Sequence, residues 1–113
     1  MSDIQNENQL VIQNWVKKNN LKNTLNGVIQ FKATFEVVKT SRNNTYKKVC
    51  DCEFRIGGYE IPKIVVDFDG DTNLIPSEFW ISNCVFKEID NELEITGEHK
   101  NETIGKYQAF LTL

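Results

Sequence analysis

Four acidic side chains stand at a spacing that suits a hard cation. Asp67, Asp69, Asp71 and Glu78 occupy the first, third, fifth and last places of residues 67–78. Calcium takes its ligands from carboxylate and carbonyl oxygens, several at a time, and this spacing can bring four side chains round one point. The pattern therefore predicts a calcium site built from these four residues.

The same stretch resembles the EF-hand calcium loop, which has acidic ligands at these places. The resemblance implies that Asp67, Asp69, Asp71 and Glu78 are the ligands. The chain departs from the family at the sixth place, where Thr72 replaces the glycine that makes the sharp turn. The residues before the loop predict a strand, whereas the family has a helix. The alternative is a solvated acidic loop between two strands.

Three cysteines and a single histidine offer a second metal hypothesis. Cys50, Cys52, Cys84 and His99 have the composition of a Cys3His zinc site. However, Cys50 and Cys52 are two residues apart, so both lie on one face of a predicted strand, where small buried thiols are common. We therefore predict buried cysteines, with no cofactor expected apart from calcium at the acidic loop.

Motifs for catalysis are lacking in the sequence. His99 lies in a charged stretch, residues 97–102, that is typical of an exposed loop. No serine or cysteine stands in a recognisable nucleophile motif, and no glycine-rich stretch could hold a phosphate. We therefore predict that the chain is not an enzyme.

A cluster of basic and aromatic residues surrounds the first predicted hairpin. Basic, aromatic β-surfaces bind single-stranded nucleic acid in OB-folds. The alternative is a lysine-rich exposed edge that prevents strand-to-strand aggregation. The cluster contains Lys32, Lys39, Arg42, Tyr46, Lys47, Lys48 and Phe54.

Hydrophobic periodicity predicts one helix followed by six strands. Residues 3–18 carry a short apolar stripe at helical spacing, with Lys17 and Lys18 at the end and an asparagine pair able to form a left-handed cap. From Gly27 the period changes to two, and Asp90-Asn91 has the composition of a tight turn. The predicted strands lie near residues 27–40, 45–56, 63–68, 80–89, 92–97 and 105–112.

These elements predict a mainly β fold with one N-terminal helix, in a single domain spanning residues 1–113. Short connections favour an antiparallel sheet or a small barrel, an OB-like barrel among them. The 113 residues are 40% hydrophobic and carry a net charge of −3, so a sizeable core is expected and a general attraction to phosphate is not. An odd number of cysteines and no visible signal peptide or membrane span predict a cytoplasmic location.

Composition and missing catalytic motifs together favour a protein-binding function. We expect a small acidic module of the inhibitor or immunity-protein kind, or a small subunit of an assembly, with another protein as its partner. An OB-like subunit that binds single-stranded nucleic acid is the alternative, and a calcium-binding domain is the third hypothesis. No membrane partner is expected.

Overall fold

The computed structural model describes residues 3–22, 27–41, 44–56, 63–69, 74–101 and 104–113, with backbone only at residues 3, 41, 44 and 50–54. One helix and seven strands occur in these ranges. They are α1 (Asp3–Lys18), β1 (Ile29–Ser41), β2 (Asn44–Ile56), β3 (Lys63–Asp67), β4 (Glu78–Trp80), β5 (Val85–Ile89), β6 (Glu92–Glu98) and β7 (Lys106–Thr112).

All seven strands form one antiparallel sheet in the order β4-β3-β2-β1-β7-β6-β5. The sheet is curled into a half-barrel. The predicted class, mainly β with one N-terminal helix, is confirmed. Strands β1 to β4 form one antiparallel meander and β5 to β7 form another, and the pairing of β1 with β7 joins the two. The sheet has seven strands in the described residues, whereas an OB-fold has five.

The strand predicted near residues 80–89 is interrupted. Residues 81–84 form a turn in which the backbone N–H of Cys84 donates to the carbonyl of Trp80 at 3.1 Å. The turn shifts the alternation by one residue: Phe79 faces the core before it, whereas Phe86 does so after it and Val85 is exposed. Uninterrupted alternation would have placed Val85 inside, so the prediction was wrong at this point.

This turn connects the two ends of the sheet. β4 is hydrogen-bonded to β3 at one end and β5 to β6 at the other, yet four residues separate them along the chain. Because all neighbours are antiparallel, β4 and β5 run in the same direction. The two strands are therefore consecutive parts of one chain segment, which is hydrogen-bonded to β3 before the turn and to β6 after it.

The core lies between the concave face of the sheet and α1. Helix residues Ile12 and Trp15 are fully buried, and the ring of Trp15 meets Phe31 of β1 edge-on, with 5.5 Å between ring centroids. Burying side chains of this size contributes about 1.5–3 kcal/mol each relative to exposure. The short apolar stripe of α1 is thus stabilised by the sheet beneath it.

Two local sequence signals are confirmed by the backbone. Asn20 follows α1 with φ of 56°, and the N–H of Leu21 returns to the carbonyl of Val16 at 3.1 Å, as in a left-handed helix cap. Asp90 and Asn91 have φ of 50° and 69°, which suits the two-residue turn between β5 and β6. Among the described residues, no helix has the length and apolar character needed to cross a membrane.

Candidate binding site

Helix α1 covers the free edge of β5. The Asn8 side chain, 1% exposed, donates from Nδ2 to the carbonyls of Ile81 (2.7 Å) and Cys84 (2.6 Å), and its Oδ1 accepts from the N–H of Phe86 at 3.0 Å. The outer end of the helix is held by an ion pair between Lys18 and Glu88 at 2.7 Å. We call this region the covered edge.

On the other side of the 81–84 turn, the register leaves backbone groups facing a gap. The N–H of His99 donates to the carbonyl of Gly105, so odd-numbered residues of β6 bond to β7 and even-numbered ones point toward β5. Pairing of β6 with β5 ends at Thr96, which lies opposite Val85. Within the described residues, the N–H and C=O of Glu98 therefore have no strand beside them.

The same reasoning applies to β4 across this gap. The N–H of Val66 donates to the carbonyl of Ser77, so Phe79 bonds to β3, and Glu78 and Trp80 direct their backbone groups outward. The Trp80 carbonyl accepts two N–H groups from the 81–84 turn. The groups of Glu78 have no such partner in the part of the chain that the structure describes.

A cleft of about 250 Å³ occupies the gap, and we call it the open notch. One wall is β4, the other is the end of β6, and the floor is formed by the 81–84 turn and β7. Its lining residues are Glu78, Trp80, Asn83, Cys84, Glu98, His99, Lys100 and Tyr107.

Trp80 is a partly exposed aromatic residue on the wall of the open notch. Its side chain is 42% exposed, and the Lys63 ammonium lies 4.6 Å from its ring centroid. Lys63 is held in turn by Glu78, with Nζ and Oε1 3.1 Å apart. The indole is thus in contact with a paired lysine on one side and keeps much of its surface available.

The floor of the notch is a neutral hydrogen-bonded pair. Cys84 Sγ and Tyr107 Oη are 3.0 Å apart, and both residues are buried. Burial raises the pKa of Cys84, outweighing its opposing hydrogen bonds to Tyr107 and to the Trp80 backbone. Burial also raises the pKa of Tyr107, and the contact with Cys84 adds to this. Cys84 therefore keeps its proton at neutral pH and lacks the thiolate that a nucleophile needs.

Gly97 makes room for this pair. A Cβ at this position would lie 2.6 Å from Tyr107 Oη and 3.0 Å from its Cζ. Contacts this short require the ring to move. Glycine is therefore needed at residue 97 for the tyrosine to reach Cys84.

His99 lies where the open notch meets a second, shallower groove. Its Nδ1 accepts the N–H of Asn101 at 3.0 Å, so the neutral ring carries its proton on Nε2. The groove measures about 650 Å³ and is lined by Thr40, Glu98, His99, Lys100, Gly105 and Lys106. The exposed position predicted for His99 is confirmed.

The predicted calcium ligands fall on and between two strands. Asp67 ends β3 and pairs with Arg55 at 3.1 Å, and Glu78 begins β4 and pairs with Lys63 at 3.1 Å. Asp69 is exposed, and Asp71 lies outside the described residues. A calcium ion would have to compete with both cations. Strands flank the loop where an EF-hand has helices, and the calcium site stays a prediction.

The predicted cysteine and histidine set is partly brought together. Cys84 and His99 line the same notch, whereas the backbones of Cys50 and Cys52 lie in β2 opposite Phe35 and Ala33. The side chains of Cys50 and Cys52 are outside the described part of the structure. Within that part, no three metal-ligating side chains form a cluster.

The predicted basic surface is divided between the two faces of the sheet. Lys39 is 6% exposed and lies 5.3 Å from the Tyr46 ring, and Lys48 is 5.6 Å from the ring of Phe68. Lys47, on the opposite face, pairs with Glu36 at 3.0 Å. Strand alternation separates lysines that are close in sequence.

The remaining members of that cluster add little to it. Lys32 is exposed on β1, while Arg42 and the side chain of Phe54 lie outside the described residues.

Sequence patterns did not predict the hydrogen bonds of the covered edge or of the notch floor. The available signal for a buried Asn8 is its position four residues before Ile12 on the apolar stripe of α1. The meeting of Cys84 with Tyr107 depends on register between distant strands, for which one sequence holds no signal. The chain matches no protein-family model, no curated protein and no solved structure, so its own residues must carry the functional argument.

Proposed function

We propose that this chain is a non-enzymatic protein-binding domain and that the open notch is its contact site. The proposal rests on the exposure of Trp80, at 42%, on the wall of a cleft whose opposite wall is the end of β6, where within the described residues the outer edge of Glu98 has no strand beside it. Tryptophan is enriched among residues that dominate interface energies, most of all where it fills or borders a pocket.

The neutral floor of the notch supports binding over catalysis. Cys84 and Tyr107 bond to each other, and burial raises the pKa of both, so both keep their protons at neutral pH. His99 lies in the same cleft, and its Nδ1 accepts a hydrogen bond from the backbone N–H of Asn101. These groups offer shape and hydrogen bonds to a ligand, which is what a binding site requires.

The test uses the chain as bait in a lysate of its source organism. Wild type, Trp80→Ala and Leu10→Ala are compared, because Leu10 is 59% exposed on α1 and serves as the apolar control. We expect wild type and Leu10→Ala to retain the same partner and Trp80→Ala to lose it. Equal recovery by Trp80→Ala would contradict the proposed site.

Two further arms separate the competing functions. Nuclease treatment should leave the partner bound, and its loss would favour single-stranded nucleic acid as the ligand. A calcium chelator should also have no effect. Loss of binding with chelator that is reproduced by Asp67→Asn with Glu78→Gln would favour the calcium-binding domain.

A further inference from the structure

The backbone of the open notch defines how a partner would bind, given the function proposed above. Glu78 on β4 and Glu98 on β6 each direct an N–H and a C=O into the gap. Elsewhere along the two edges, comparable groups are used by the chain itself: Asn8 takes the N–H of Phe86, and the turn takes the carbonyl of Trp80. The notch presents strand edges on both sides.

The two walls line one and the same cleft. A single turn separates the end of β4 from β5, with Cys84 N and Trp80 O 3.1 Å apart, and β5 is the direct neighbour of β6. A cleft of about 250 Å³ is lined by Glu78 and Trp80 on one wall and by Glu98 and His99 on the other, so a short extended segment in it would lie beside both walls.

We infer that the open notch accepts an extended segment of the partner protein, which lies between β4 and β6 and hydrogen-bonds to Glu78 and Glu98. A strand carries donors and acceptors on both edges, so it can satisfy both walls at once, which a helix cannot do because its backbone groups bond within itself. The segment completes the curled sheet at this end.

The residues that line the notch also determine which side chains the bound segment can carry. A residue facing inward meets the buried thiol and hydroxyl of Cys84 and Tyr107 in a cleft of about 250 Å³, so it is uncharged and of small or medium size. A residue facing outward lies between Trp80 and the carboxylates of Glu78 and Glu98. A lysine or arginine at that position would pair with Glu98 and would compete with Lys63 for Glu78 and the indole.

The experiment begins with ten-residue peptides selected on the 113-residue chain from a random display library. Amide hydrogen exchange is then measured by NMR with and without the tightest peptide. We expect the Glu78 and Glu98 amides to be protected at least tenfold on binding. The Phe86 amide is the control, because Asn8 already holds it and its exchange should not change.

N-methylation of the peptide gives the second measurement. Methylating an amide that lies in the notch should weaken binding at least tenfold, and methylating a terminal amide should not. If peptides bind through Trp80 while Glu78 and Glu98 stay unprotected and N-methylation has no effect, the strand model is wrong but the binding site stands. If no selected peptide depends on Trp80, the proposed function fails with it.

Discussion

The covered edge and the open notch lie on either side of the same turn, and they differ in whether the chain covers the strand backbone there. At residues 81–84 the chain leaves β3 and joins β6, and each side of this step exposes strand backbone. On one side α1 supplies Asn8, Ile12 and Trp15 to hydrogen-bond and pack. On the other side the backbone of Glu78 and Glu98 faces a cleft. Free strand edges invite pairing, so a fold that covers one and leaves the other has a surface suited to recognition.

Two tryptophans give the sharpest test of this difference. Trp15 is fully buried and donates from Nε1 to the carbonyl of Asn91 at 3.0 Å, whereas Trp80 is 42% exposed. We expect Trp15→Ala to lower the free energy of unfolding by about 3–5 kcal/mol. Trp80→Ala should cost less, about 1–2 kcal/mol, because the ring is only partly covered and loses one cation–π contact. Urea titrations of both variants measure the two values, and similar losses would refute the distinction.

Asn8→Ala tests the hydrogen bonds of the covered edge. The change leaves the carbonyls of Ile81 and Cys84 and the N–H of Phe86 without their partner. An unsatisfied buried group costs about 1–3 kcal/mol, and some water will enter, so we expect a total loss of about 3 kcal/mol. Asn14→Ala, at an exposed position of the same helix, should change stability by less than about 0.5 kcal/mol. Equal changes in stability for the two variants would mean that helix propensity, rather than the hydrogen bonds of Asn8, determines the effect of each substitution.

Gly97→Ala tests the packing beneath the open notch. The new methyl group would lie 2.6 Å from Tyr107 Oη, so we expect a loss of about 1–3 kcal/mol by chemical denaturation. The same change in a Tyr107→Phe background should cost less, because the closest contact is removed. A double-mutant cycle measures the difference, and additive costs would show that the hydroxyl is not the obstacle.

The elements of this fold could be predicted far better than its site. Alternation in β1 identified a long strand, and Asp90-Asn91 identified a turn, because both signals are local. The turn at residues 81–84 was not predicted, because the residues around it favour strands: Trp80, Ile81, Val85 and Phe86. Hydrogen bonds to Asn8 override that preference in the folded chain. The open notch depends on where the β5–β6 pairing stops, which only the assembled sheet determines.

The smallest expected effect is the pH dependence of the notch floor. Burial raises the pKa of both Cys84 and Tyr107 in the folded chain, so the unfolded chain releases these protons first as pH rises. Their contribution is therefore present in full below the ordinary thiol pKa of about 8.5 and is lost as pH rises toward the folded values. Each proton lowers stability by up to about 1.4 kcal/mol per pH unit in this window. We expect urea titrations from pH 7 to 10 to show a steeper decline for wild type than for Cys84→Ala with Tyr107→Phe, by about 1 kcal/mol at the alkaline end. The other cysteines and tyrosines are present in both proteins, so their effects on stability cancel. Parallel curves would show that water reaches the Cys84–Tyr107 pair and that its pKa values are not raised by burial.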